Sequence, residues 1–447
     1  MKRIRLPLTA LCVLLTACDK PGDPGDSADS TTDAETSAAT SEPTSAGETS
    51  AATDPGTTGD TSDTGDTDDA TTGILAPATG VDILFVMDNS GSMAPSQQRI
   101  ADAIDAFVDP LTAAGLDLRI AVTTTDTGNP RCPNTTPENG AFVASSCRAR
   151  VPLGEFTAAD VDQSAACLDA CPHESIDILP TATADDPAPA PRPWIEWSPG
   201  AANVEVPLVE ALACVLPQGV AGCGFESPLA AMATSIARMT TPSDPAAGFL
   251  RPDAHFVVIV VTDEMDCSYN PEFAEIFTDN KVFWTDPVQD PAPTSAMCWH
   301  AGVACEGGPD SFSSCAAADR ELTAGEVTSD PSLAALVPVA TYNDLLAQVQ
   351  TDKQIAGSAA QVQMVVIGGV PGGFPQNPLE FTANNTDMVD LFGIDPGCDN
   401  MGITAVPPMR LLEVTQANSP LGQGLYSICQ TTLDAPLAAI AAGILGQ

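Results

Sequence analysis

The sequence predicts an α/β fold whose core is a doubly wound, mostly parallel sheet. Four apolar runs without helical periodicity, at residues 81–87, 116–123, 256–261 and 362–367, are typical of buried strands. Segments whose apolar residues recur at helical spacing lie between these runs. Strands that alternate with helices form parallel sheets covered on both faces, which gives the predicted fold class.

The predicted helices fill the intervals between the strands. After the first strand, Pro95 opens a helix whose apolar residues share one face, namely Ile100, Ala103, Ile104, Phe107, Val108 and Leu111. Residues 208–239 have a helical period with one interruption, and residues 337–353 predict a further helix. We expect the last helix over residues 434–445, with Asp434 as its N-cap.

Two long segments break this alternation. Residues from about 126 to 202 and from about 266 to 331 are rich in Pro and Cys and show little periodicity. We interpret both as disulfide-stapled insertions in a domain that spans residues 78–447. Each begins shortly after the carboxyl end of a strand, which is the ligand-binding edge of an open α/β sheet.

The amino terminus has the pattern of an exported protein. Residues 1–17 combine a basic start with a short apolar stretch and end next to Cys18, in the order Leu-Thr-Ala-Cys. This ending resembles the bacterial lipobox, which implies that Cys18 is acylated and anchors the chain in the cell envelope, at the outer membrane or the cell surface. The alternative is an ordinary signal peptide followed by a chance Cys. No later segment reaches 18 consecutive apolar residues, so we expect membrane contact through lipid alone.

Residues 18–77 predict a disordered, acidic linker. Thr, Ser, Asp, Gly and Ala dominate this segment. Such a composition does not bury enough apolar area to offset the entropy lost on ordering. We expect a self-repelling tether that holds the folded domain away from the lipid surface.

Charge and cysteine content exclude some classes of protein. The chain has 16 Lys and Arg against 59 Asp and Glu, a net charge of −43, which excludes a nucleic-acid partner because phosphates are bound through basic residues. Of the 14 Cys, twelve follow the linker, which predicts six disulfides formed in an oxidising compartment. Their connectivity stays open, although Cys132–Cys147 and Cys214–Cys223 are tempting local pairs.

Oxygen-bearing side chains follow two of the predicted strands. One strand leads directly into Asp-Asn-Ser-Gly-Ser at 88–92, and another ends in Thr-Asp at 262–263. The carboxyl ends of parallel strands meet at one edge of a sheet, and a hard divalent cation prefers oxygen ligands. We therefore expect a site for Mg²⁺, or for Mn²⁺ or Ca²⁺, formed by Asp88, Ser90, Ser92 and Asp263. Alternatively, these residues only cap the helices that follow, and the domain is metal-free.

This pattern resembles the von Willebrand factor A domain and its metal-ion-dependent adhesion site. The first metal-binding segment of that family is Asp-x-Ser-x-Ser, matched by residues 88–92, and the third is the Asp after the central strand, matched by Asp263. The second segment departs from the family, because Glu226 stands where a Thr is usual. We expect Glu226 to face the metal. The resemblance covers residues 79–447 apart from the insertions, and it implies a Rossmann-like fold and an extracellular protein or glycan ligand.

Two further acids follow the third strand. Glu264 and Asp266 are candidates for a second cation site, with Ca²⁺ as the cation. Alternatively, they form the solvated rim of an acidic edge.

The residues favour a binding module over an enzyme. An open position on the cation would accept an Asp or Glu of a partner or a glycan oxygen. A metal-free structural scaffold is the alternative, and a metal-dependent hydrolase is a third interpretation. The sequence has neither His-Glu-x-x-His nor Gly-x-Ser-x-Gly, the motifs of common zinc proteases and α/β-hydrolases. Residues 396–429 are also similar to secreted or lipid-anchored proteins of the same family from myxobacteria.

Overall fold

The computed structural model describes residues 76–446. The predicted signal peptide, Cys18 and all but the last two residues of the predicted linker lie outside the described residues. The strands are β1 (Gly80–Met87), β2 (Asp117–Thr124), β3 (Thr157–Ala158), β4 (Val161–Asp162), β5 (Ile195–Ser198), β6 (Ala201–Ala202), β7 (Ala254–Val261), β8 (Val303–Gly307), β9 (Ser311–Ala317), β10 (Val362–Gly368), β11 (Phe381–Thr382), β12 (Cys398–Asn400), β13 (Ile403–Ala405) and β14 (Leu425–Ser427).

Helices occupy most of the intervals between the strands of the central sheet. The α-helices are α1 (Ala94–Asp102), α2 (Asp105–Ala113), α3 (Cys147–Arg150), α4 (Ala165–Leu168), α5 (Leu208–Val215), α6 (Pro228–Met239), α7 (Ala296–Gly302), α8 (Val339–Ile355), α9 (Thr386–Phe392), α10 (Met409–Ala417) and α11 (Asp434–Ile444). Short 3₁₀ helices cover Val151–Leu153, Pro271–Phe277 and Pro331–Leu333.

A seven-stranded sheet in the order β14-β10-β7-β1-β2-β5-β6 forms the centre of the fold. The first five of these strands are parallel, and β5 and β6 add an antiparallel edge. Without β6, the six remaining strands can be numbered by their order along the chain. Read across the sheet from β5 to β14, their order is then 3-2-1-4-5-6. In a doubly wound sheet of this order, the strand order reverses between the first and fourth strands, here β1 and β7, and ligands bind in the crevice at that point.

Both faces of the sheet are covered, as alternate side chains of β1 show. Ile83 and Phe85 pack on one face with residues of α1, α2, α5 and α11. Leu84 and Val86 pack on the other face with residues of α6, α8 and α10. This burial explains why the strands are apolar throughout, and it confirms the predicted α/β class with a mostly parallel sheet.

Several predicted boundaries differ from the structure. Residues 195–202, assigned to the first insertion, form the antiparallel edge β5–β6 of the central sheet. This edge was missed because a run of four residues with alternating polarity gives no strong strand signal. The helix opened by Pro95 is divided into α1 and α2 around Ala103. Asp434 is the first residue of α11, and Leu433 takes the N-cap position without a side-chain cap, so the predicted N-cap is wrong.

The twelve cysteines of the described residues form six disulfides, as the cysteine count predicts. The pairs are Cys132–Cys223, Cys147–Cys167, Cys171–Cys214, Cys267–Cys298, Cys305–Cys315 and Cys398–Cys429. The tempting pairs Cys132–Cys147 and Cys214–Cys223 are wrong. Cys132 lies in a loop that returns to the segment before α6, and α3 and α4 bring Cys147 and Cys167 together.

The second insertion contributes to a third apolar cluster, separate from the two that cover the faces of the central sheet. Phe277, Trp284 and Trp299 of this insertion pack with Ile394 and Met409 from later in the chain. The insertion is therefore a packed layer against the carboxyl-terminal part of the domain. Within residues 76–446, no helix is both long and apolar enough to cross a membrane.

Candidate functional site

Asp88 lies at the centre of the switch point, immediately after β1. Its side chain is fully buried. Oδ1 accepts a hydrogen bond of 2.8 Å from the amide of Ser90, and Oδ2 accepts one of 2.6 Å from the hydroxyl of Thr262, which follows β7. The backbone amide of Asp88 also donates to the carbonyl of Val261 at 2.9 Å. Asp88 is thus fixed jointly by the ends of the two strands between which the sheet reverses its order.

Two serines of the predicted motif lie in the loop after Asp88. The hydroxyl groups of Ser90 and Ser92 are 3.2 Å apart. Ser90 is buried and Ser92 is exposed, so the pair connects the interior of the site with solvent. The ends of β1 and β7 therefore bring Asp88, Ser90, Ser92 and Asp263 to one edge of the sheet.

Asp263 is the second buried aspartate of this edge. Its Oδ1 is buried and has no hydrogen-bond partner among the described residues. Burial, together with the negative charge of Asp88, raises the pKa of the Asp263 carboxyl group. Burial likewise raises the pKa of Asp88, although the donors Thr262 and Ser90 oppose the shift. Both aspartates therefore lie where a lone negative charge is unfavourable and a neighbouring positive charge would stabilise it.

Glu226 reaches the same edge from the loop before α6. Its Oε2 accepts a hydrogen bond from the hydroxyl of Thr125, the first residue after β2, whereas Oε1 is buried without a partner among the described residues. Burial and the charge of Asp88 raise the pKa of Glu226 well above its usual range. The carboxyl group of Glu226 thus lies close enough to Asp88 for their charges to interact, and its orientation toward a metal stays a prediction.

Glu264 and Asp266 point in different directions. Asp266 is buried and its carboxylate is saturated by protein donors: Oδ2 forms an ion pair of 3.0 Å with Arg410, and Oδ1 accepts from the amide of Leu229 and the hydroxyl of Ser268. Asp266 therefore stabilises the start of α6 and is unsuited to the predicted second cation site. Glu264 is half-buried and faces a surface cavity of about 310 Å³. The two acids do not form one site.

Sequence reasoning missed the residues that hold the loops of the site in place. The amide of Gln97 in α1 donates to the backbone carbonyls of Asp88 and Gly219, both at 2.7 Å. Gly222 donates from its amide to the carbonyl of Asn89 at 2.8 Å, and any Cβ at this position would collide with the Asn89 side chain. A buried amide at helical spacing and a lone Gly carry no distinctive sequence signal.

Thr125 was also missed, although its sequence context held a signal. It follows two other Thr residues and precedes Asp126 directly after an apolar strand. Those are oxygen-bearing residues at the carboxyl end of a third parallel strand, which is the criterion that identified Asp88 and Asp263.

The electrostatics of the edge fit a cation. None of the ion pairs within residues 76–446 involves Asp88, Glu226, Asp263 or Glu264. Two of these carboxyl groups keep a buried oxygen without a partner, an arrangement that is costly unless a proton or a cation compensates it. In the described part of the chain, no group of three or more His, Cys, Asp or Glu side chains is arranged to hold a metal. A cation at this edge would therefore depend on hydroxyl ligands as well as on carboxylates.

Comparison with known proteins gives little information about this chain. No protein-family model matches it, and none of the curated proteins matches it. Among solved structures, the pilus adhesin RrgA from Streptococcus pneumoniae matches with 12% sequence identity and a TM-score of 0.22, over 66% of this chain and 40% of the adhesin chain. The chain thus spans less than half of that adhesin, and a likeness this weak carries no argument about fold or function.

Proposed function

We propose that the protein is a binding module that resembles the von Willebrand factor A domain and captures an extracellular protein or glycan through a divalent cation. Asp88, Ser90, Ser92 and Asp263 would hold the cation, with Glu226 beside them. The observation that carries the proposal is the pairing of Asp88 and Asp263 at the ends of adjacent parallel strands, where Asp263 keeps a buried oxygen without a partner.

Mg²⁺ suits this set of ligands better than a soft metal does. The side chains offer only carboxylate and hydroxyl oxygens, the ligands preferred by Mg²⁺, Mn²⁺ and Ca²⁺. A bound cation would supply a coordination position for an oxygen of the partner. The task of this chain is to keep the carboxylates close together and oriented, which the hydrogen bonds from Thr262 and Ser90 to Asp88 achieve.

The proposed family rests on topology and motif together. The strand order 3-2-1-4-5-6 with an antiparallel third strand places the Asp-x-Ser-x-Ser loop and Asp263 at the switch point. Glu226 in place of the usual Thr adds a third carboxyl group. This difference would strengthen binding of the cation and weaken binding of an acidic partner.

Calorimetric titration of the intact chain with Mg²⁺ and Mn²⁺ tests the cation site. We expect one binding event in the wild type and none in Asp88→Ala, while Asp399→Ala, an exposed acid on β12, serves as the control and binds normally. Equal binding by both variants would refute the site. Absence of binding in all three proteins would favour the second candidate, a metal-free scaffold, which the six disulfides support because they stabilise an extracellular fold without any ligand.

The six disulfides are consistent with an extracellular or secreted protein. We further propose that Cys18 carries the lipid anchor and that the acidic linker presents the domain outside the membrane. Detergent phase partitioning of the protein expressed from its own signal tests this. The wild type should enter the detergent phase, and Cys18→Ser should stay in the aqueous phase. A wild type that partitions into the aqueous phase would refute the anchor.

A further inference from the structure

The cavity of about 310 Å³ beside the proposed cation site differs from that site in chemistry. Its lining combines one carboxyl group with aromatic, aliphatic and hydroxyl side chains, chiefly Glu264, Phe225, Phe392, Leu391, Thr294 and Ser295. Glu264 is the residue after Asp263, so the cavity adjoins the edge at which the cation would lie. A ligand group bound there would therefore lie next to a group bound at the cation.

The walls of the cavity are held in place by separate parts of the fold. The disulfide Cys132–Cys223 fixes the loop that carries Phe225, whose ring also packs edge-on against Phe277 at 5.1 Å. The hydroxyl of Ser295 donates to the carbonyl of Gly224 at 3.0 Å. The hydroxyl of Thr294 donates at 2.7 Å to the carbonyl of Asp390 in α9, the helix that supplies Leu391 and Phe392. The cavity is therefore preformed.

A metal ion does not suit this cavity. A hard cation requires several oxygen ligands, but Glu264 is the only carboxyl group in the lining and Asp266 is engaged by Arg410. Both hydroxyl groups of the lining already donate to backbone carbonyls. A single carboxyl group among aromatic and aliphatic side chains instead suits an organic cation, whose charge the ionised carboxylate pairs and whose carbon stem the apolar side chains cover.

We propose that this cavity binds a basic side chain, Lys or Arg, of the protein partner, beside an acidic group bound at the cation. Charge complementarity supports this occupant: the chain has a net charge of −43, and no ion pair of the described residues includes Glu264. The inference rests on the proposed function, since it names a second chemical feature of the same partner. The partner is then a protein segment that carries an acid and a base close together, rather than a neutral glycan.

The experiment uses Nα-acetyl-lysine methylamide as the probe and the norleucine analogue, which has the same carbon stem without the ammonium group, as its matched control. Saturation-transfer NMR on the intact protein should show millimolar binding of the lysine probe and binding of the norleucine probe weaker by about tenfold. Glu264→Gln should weaken the lysine probe by a similar factor. Glu272→Gln, an exposed acid of the second insertion, should leave binding unchanged.

The two proposals fail separately, because the probe has no group for the cation. Equal binding of both probes, or lysine binding that survives Glu264→Gln, would overturn the basic-side-chain proposal whatever the calorimetry with Mn²⁺ shows. If the wild type binds the lysine probe but not Mn²⁺, the proposed function is overturned and the cavity remains as an independent site. The comparison of two probes on the wild type needs no variant, so a misfolded Glu264→Gln protein does not leave the question open.

Discussion

The hydroxyl of Thr262 donates a hydrogen bond of 2.6 Å to Oδ2 of Asp88, across the boundary at which the strand order of the sheet reverses. The same hydroxyl oxygen accepts from the amide of Glu264 at 3.1 Å. One buried side chain thus orients the first aspartate of the candidate site and shapes the loop that carries the second. Thr262 touches the proposed ligand Asp88 and acts through it, which makes it a positioning residue.

Removal of this hydroxyl should destabilise the fold and weaken cation binding. Thr262→Val keeps the volume of the side chain but leaves Oδ2 of Asp88 and the amide of Glu264 each without a partner. We expect a loss of about 1–3 kcal/mol in the free energy of unfolding in EDTA, measured by urea denaturation, because a buried polar group without a partner costs about that much. Thr262→Ser, which keeps the hydroxyl, is the matched control and should bind Mg²⁺ with little change. Equal effects of the two substitutions would refute the positioning role.

The charge of Glu226 should set the balance between cation and ligand affinity. Glu226→Thr removes one of three neighbouring carboxyl groups, so we expect Mg²⁺ affinity to fall by about tenfold, equivalent to about 1.4 kcal/mol. The cation held by Thr would carry more net positive charge, and acetate, used as a simple carboxylate probe, should bind more tightly. Water-proton relaxation of the Mn²⁺-loaded protein during acetate titration measures this second effect.

A close structural analogue serves as the control for Glu226. Glu138 accepts a hydrogen bond from Thr124, just as Glu226 does from the adjacent Thr125, and burial raises the pKa of its carboxyl group too. Glu138→Gln should change neither Mg²⁺ affinity nor the response to acetate. If Glu138→Gln and Glu226→Thr had the same effect, the special relation of Glu226 to the cation would be disproved.

The opposite end of the sheet holds a buried lysine that should make stability depend on pH. Nζ of Lys353 donates to the carbonyls of Arg251 and Ala254 at 2.6 and 2.7 Å. Burial lowers the pKa of Lys353 to about 8, partly opposed by Asp82 and Asp253, while the charge of Arg251 lowers it further. His255 faces the same cluster, and the charge of Lys353 helps to lower its pKa.

The sign of this effect follows from proton binding in the two states. Between pH 8 and the usual lysine pKa of about 10.4, the unfolded chain holds the proton and the folded chain does not, so this group makes folding more favourable as pH rises through that window. We compare the free energy of unfolding of the wild type with that of Lys353→Met. The difference, wild type minus variant, should rise from pH 8 to pH 10 with a slope of at most about 1.4 kcal/mol per pH unit. A flat or falling difference for Lys353 would contradict the pKa assignment.

A site residue could be predicted from the sequence when neighbouring residues determine its position, and not when distant parts of the chain do. Asp88 and Asp263 follow long apolar runs, so the strand ends, their parallel alignment and the shared edge are readable from the sequence alone. Asp266 was misassigned because its partner, Arg410, lies 144 residues further along the chain and no local pattern links them. The approach of Glu226 to Thr125 likewise depends on long-range packing and on a disulfide, neither of which composition or periodicity determines.

That disulfide, Cys132–Cys223, closes 91 residues and holds the segment that leads to Glu226. Replacing both cysteines with Ala should lower the free energy of unfolding by about 4–5 kcal/mol, because loop-closure entropy grows with the length of the closed loop. It should also weaken Mg²⁺ binding, since the Glu226 loop is then tied to the β2 edge only by hydrogen bonds. The matched control is the pair Cys305–Cys315, which closes only 10 residues in the β8–β9 hairpin.

Loss of Cys305–Cys315 should cost about 3 kcal/mol and leave Mg²⁺ affinity unchanged. Each disulfide contributes to stability, but only Cys132–Cys223 is expected to contribute to the geometry of the site. Calorimetry with Mg²⁺, at a temperature where both cysteine-pair variants are folded, separates these two contributions. Unchanged Mg²⁺ binding after loss of Cys132–Cys223 would mean that Thr125 and the amides around Gly222 suffice to place Glu226. Weakened binding in both variants would mean that overall stability, and not this bridge, controls the cation site.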